Sequence, residues 1–98
     1  MSPRSAVLEA WRQIEDAIVR AAQRRQLDVH GRQAESPLAF IRALQRAEVL
    51  DAGKIGILHE LRALRNNAAH GPDFALSGDS ALEYSRVASA IVEYLDRL

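Results

Sequence analysis

The run LRALRNNAAHG, residues 61–71, concentrates the side chains of this chain best suited to chemistry. Arg65 can hold a phosphate through parallel N–H donors. His70 can take or give a proton near neutral pH, and Asn66 can orient either partner. A metal centre is not expected: His59 and His70 stand eleven residues apart, roughly 16 Å along a helix axis. No cysteine or nearby carboxylate completes a ligand set. Elsewhere there is no phosphate-cradling glycine loop and no nucleophile elbow, and nothing calls for a cofactor.

These side chains belong to a helix, and the helix decides what they can reach. At about 100° per residue, Ile55, Ile57, Leu58, Leu61, Leu64 and Ala68 form an apolar arc, and Arg65 projects inside it. Glu15 repeats the anomaly on the first helix, between Trp11 and Ile18 on the apolar side. A charge buried alone is costly, so Glu15 and Arg65 are expected as neighbours in a structural ion pair. Snorkelling of the guanidinium to the rim is one alternative, and a functional site is the other. His70 falls about 140° around the helix from Arg65, on a polar stripe with His59, Ala63 and Asn66. The bland reading of His70 is a helix-end histidine bonded to the last carbonyls or the next loop. The helix dipole there favours its protonated form.

Caps and periodicity give four helices. Ser2-Pro3 supplies an N-cap with proline at the first helical position. Val7, Leu8, Trp11, Ile14, Ile18 and Ala22 then recur at helical spacing to about Arg25. DVHGRQAES reads as a loop that turns at Gly31. Ser36-Pro37 starts a short second helix with an apolar face of Leu38, Phe40, Ile41, Leu44 and Ala47. Asp51 caps the third, with Leu50 and Ile55 as a hydrophobic staple. That helix runs to His70, where Gly71-Pro72 stops it. Asp79 or Ser80 is expected to cap the fourth, Ser80 and Glu83 being spaced as a capping box. Tyr84, Val87, Ala88, Ile91, Tyr94, Leu95 and Leu98 form its stripe. Trp11 and both tyrosines read as core. Nothing alternates with period two, so the expected fold is all-α, an antiparallel four-helix bundle.

Ninety-eight residues make one domain, 1–98. Met1 lies directly against a helix start, as it would in a piece cut from a longer protein. Thirteen basic and thirteen acidic residues give a formal charge of zero, which argues against indiscriminate grip on RNA or DNA. Arg20, Arg24, Arg25 and Arg32 cluster near the end of the first helix. A solvated face is the better reading there, with phosphate contact as the minor one. Cysteine is absent, and neither a signal peptide nor an apolar run of membrane length is visible. The expected setting is cytoplasmic, without membrane contact.

Arg65-Asn66-Asn67-Ala68-Ala69-His70 resembles the signature of the HEPN superfamily: an arginine and a histidine with four to six residues between them, the first of these polar. AVLEAWRQIEDAI, SPLAFIRALQRAEVL and LHELRALRNNAAHG look like a branch known mainly as a domain of unknown function. The likeness spans residues 7–95. It implies a HEPN-like helical bundle with one of two roles. Many members are metal-independent ribonucleases of toxin or defence systems that join two such motifs in a dimer. On that model Arg65 holds the scissile phosphate, His70 is general acid or base, and Asn66 orients one of them. Other members are non-catalytic interaction or accessory modules. Neutral charge, small size and the expected tie of Arg65 to Glu15 put the interaction module ahead. Under either role the expected partner is a second copy or another protein, along the third and fourth helices. RNA is the substrate under the nuclease role alone, and DNA under neither.

Overall fold

The computed structural model describes residues 2–27, 29, 36–71 and 76–98. They form four helices: α1 (Pro3–Arg24), α2 (Pro37–Arg46), α3 (Ala52–His70) and α4 (Gly78–Asp96). The turn expected at Gly31, Arg32 of the basic cluster, and Pro72 lie outside the described residues.

Local signals place most of the ends. Ser2 Oγ accepts the Ser5 N–H, with Pro3 opening α1. Arg25 closes that helix, and Gln26 turns the chain away with a φ of 54°. Ser36 stands at the N-cap of α2 but makes no side-chain cap bond. The Asp51 carboxylate accepts the Lys54 N–H at 2.9 Å, and that bond holds its pKa below the usual carboxylate range. Leu50 and Ile55, on either side of this cap, are both buried in the core. At the far end Gly71 closes α3, its N–H bonded to the Asn67 carbonyl.

The start of α4 corrects the expectation. Its N-cap is Ser77, whose Oγ accepts the Ser80 N–H at 3.0 Å, and Gly78 is already helical. Asp79 therefore lies inside the first turn, where its charge suits the helix dipole. Ser80 spends its main-chain N–H on Ser77 and cannot begin a box with Glu83.

Packing corrects the topology as well. Arg20 grips Asp96 through two hydrogen bonds of 3.1 Å. Arg24 donates to the main-chain carbonyls of Leu95 at 2.7 Å and Leu98 at 3.1 Å. The last turns of α1 and α4 thus lie together, and these two helices run in the same sense. Lys54 near the start of α3 sits 4.3 Å over the ring of Tyr94 near the end of α4, so α3 runs against both. The result is an up-down-up trio, α1–α3–α4, with the ten-residue α2 laid on α1. A fully antiparallel set of four would need α2 to span the bundle, and ten residues reach only about 15 Å.

The hub is α1. Val7, Ala10, Trp11, Ile14, Ala17, Ile18 and Ala21 are buried along it, and α2, α3 and α4 all pack against it. Its pairing with α4 is the most extensive, while α3 and α4 touch each other only sparingly. Tyr84 bridges that gap by donating its hydroxyl to the Leu61 carbonyl at 2.9 Å.

Candidate functional site

Arg65 leaves α3 on its core-facing side, as its position between Leu61 and Ala68 requires, and it is half-buried. One guanidinium nitrogen, Nη1, donates to Asn66 Oδ1 at 3.2 Å. Nε is buried with no hydrogen-bond partner, which is costly for a cationic donor. The charge sits between α1 and α4: it acts on the Glu15 carboxyl and on the Tyr84 phenol.

The expected Glu15–Arg65 ion pair is not closed, because among the described residues no nitrogen–oxygen approach within 4 Å joins the two charged groups. Glu15 is half-buried, and that burial lifts its pKa above the ordinary carboxylate value. Arg65 and the Trp11 indole pull the value down, while Asp16 pushes it up. Desolvation wins, as it does when opposite charges attract without touching. Burial also drives the Tyr84 phenol far above its usual pKa, against a weaker opposing pull from Arg65.

The sequence-derived trio therefore meets in part. Arg65 and Asn66 are in direct contact. His70 is exposed one turn beyond Asn66, in the last turn of α3. Among the described residues no group of three His, Cys, Asp or Glu side chains could hold a metal ion. No described helix is long and apolar enough to cross a membrane.

Two arginines of the cluster at the end of α1 have a structural explanation. Arg20 and Arg24 are engaged with the end of α4, where positive charge complements the helix dipole.

A second feature lies between α3 and α4. The sparse contact between α3 and α4 leaves a groove of about 630 Å³. Its floor is Val7, Leu61 and Tyr84, and its walls include Ile57, Glu60 and Leu64 from α3 and Ser80, Glu83 and Val87 from α4. Leu76 also lines it. Ile57 is 38% and Leu64 46% exposed. Both belong to the apolar arc expected to face the core, and both are left outside it. The signal was the width of that arc: Ile55 to Leu64 covers about 180° of the helix, more than one neighbouring helix occupies.

Comparisons with protein-family models, with curated proteins and with solved structures find no match to this chain.

Proposed function

We propose that this chain is a HEPN-like interaction domain whose recognition surface is the groove between α3 and α4. The observation that carries the reading is the pair Ile57 and Leu64, large apolar side chains 38% and 46% exposed on one groove wall. Single exposed apolar residues are ordinary, but a contiguous apolar concavity marks a place where another molecule packs. Pairing along α3 and α4, by a second copy or by another protein, would cover both, and a cytoplasmic setting fits this role. Amide spectra test it, recorded over a wide range of protein concentration and against neutral amphipathic helical peptides. Shifts confined to the groove residues, and abolished by Leu64→Asp, are expected. Spectra unmoved by concentration and by every peptide would overturn the reading.

One observation favours a second reading, a metal-independent endoribonuclease. Arg65 is not neutralised by a closed pair with Glu15, and its guanidinium is held by the adjacent Asn66 side chain. In that role Arg65 binds the scissile phosphate and steadies developing charge. His70 transfers the proton, and Asn66 sets the arginine's orientation. Because His70 lies well around the helix from Arg65, two copies are needed to complete such a site. Cleavage of a mixed RNA in EDTA, lost in His70→Ala, is the expected result. Equal rates for the two proteins, or no cleavage, would eliminate the nuclease.

A further inference from the structure

The groove has a charge pattern as well as an apolar floor. Its α3 wall presents Ile57, Glu60 and Leu64 at spacings of three and four, and its α4 wall presents Ser80, Glu83 and Val87 at the same spacings in the opposite direction. The Tyr84–Leu61 hydrogen bond ties the walls at one level. Glu60 and Glu83 each immediately precede those two residues, so one exposed carboxylate stands on each wall at that level. Glu83 has Arg86 beside it at 3.8 Å, but both side chains are about two-thirds exposed, and such a pair holds its charge weakly. The mouth of the groove is apolar below and acidic on both rims.

We propose that the groove takes one amphipathic helix from a partner protein, with apolar anchors along one face and Lys or Arg on both flanks. From Ile57 to Leu64 the α3 wall spans eight residues, about 10 Å or two helical turns. Anchors at i, i+3 or i+4, and i+7 on the incoming helix match that length. Its flanking cations fall over Glu60 on one side and Glu83 on the other. A second copy of this chain fits poorly. A two-fold axis through the groove sets the same patch against itself, bringing four carboxylates together as water is excluded, and like charges so placed disfavour the pairing.

This inference rests on the groove being the recognition surface, and its test separates the two claims. The full chain is titrated by fluorescence anisotropy with two designed amphipathic helical peptides, identical in apolar face and flanked by Lys in one and Glu in the other. The Lys peptide is expected to bind about tenfold more tightly. Its advantage shrinks at high salt and disappears in the exposed double variant Glu60→Gln/Glu83→Gln. Leu64→Asp abolishes binding of both, while the unliganded chain sediments as a monomer. Equal binding of the two peptides, still lost in Leu64→Asp, overturns the basic helix and leaves the groove as a docking surface. Self-association lost in Leu64→Asp, with neither peptide bound, makes a second copy the occupant and likewise overturns the basic helix. If neither peptide binds and the chain stays monomeric at all concentrations, both claims fall.

Discussion

The hydroxyl of Tyr84 donates to the main-chain carbonyl of Leu61 across 2.9 Å, the one hydrogen bond between α3 and α4 among the described residues. The Leu61 carbonyl also lies in the α3 ladder, so its second lone pair serves the tyrosine.

Removing that donor tests the link. Tyr84→Phe keeps the ring and is expected to cost about 1 kcal/mol at neutral pH, measured by urea denaturation. The pH dependence has a definite sign. Burial raises the folded phenol's pKa above the unfolded value of about 10. Its stabilisation is complete below that pH and is lost as pH climbs, because the unfolded chain ionises first. Wild type and Tyr84→Phe should therefore converge in alkaline solution. Parallel curves above pH 10 would contradict the buried donor.

Glu15 gives the complementary case. Burial raises its folded pKa despite Arg65, so its contribution is full below the unfolded value of about 4.3 and declines as pH rises through the folded value. Glu15→Gln is expected to leave stability at pH 7 within about 0.5 kcal/mol of wild type and to gain on wild type as pH rises from acid. A loss above about 1 kcal/mol that vanishes in an Arg65→Gln background would instead reveal a strong pair.

At the start of α4, the cap assignment separates two serines. Ser77→Ala should cost about 1 kcal/mol, since Ser77 Oγ holds the Ser80 N–H. Ser80→Ala should cost only a few tenths. The reverse order in thermal melts would move the helix start to the later position that the sequence pattern suggests.

At the other end of α4, Arg24→Ala frees the carbonyls of Leu95 and Leu98. The expected effect is faster amide exchange over the last turn of α4 and a loss of about 1 kcal/mol overall. Exchange unchanged in that turn would show that α4 holds its own end.

Local chemistry was readable from sequence wherever one side chain decides the outcome. Asp51 bonding Lys54 N–H, Pro3 opening α1 and Gly71 closing α3 all follow from residue type. Ser77 was hidden because Gly78-Asp79 looks like a turn dipeptide, although glycine also enters a first helical turn. The placement of Ile57 and Leu64 was not legible, since periodicity reports which residues share a face and not which neighbour covers it. Only the arrangement of α3 and α4 around α1 decides that. For Arg65, the half-buried position followed from spacing. Its hydrogen bond did not: a long guanidinium stem can turn from Glu15 to Asn66 without any change in register.

The partnership of α1 with α4 has a kinetic consequence. Its polar ties join residues 20 and 24 to residues 95, 96 and 98, more than seventy positions away, so the most extensive helix pairing closes nearly the whole chain into a loop. Contacts of such long sequence separation slow the search for the native state. A nascent α1 leaving the ribosome carries Trp11, Ile14 and Ile18, whose full cover from α2, α3 and α4 is complete only when α4 is made. This small helical domain is therefore expected to fold late in its own synthesis, and to fold more slowly than helical proteins of its size whose contacts are local.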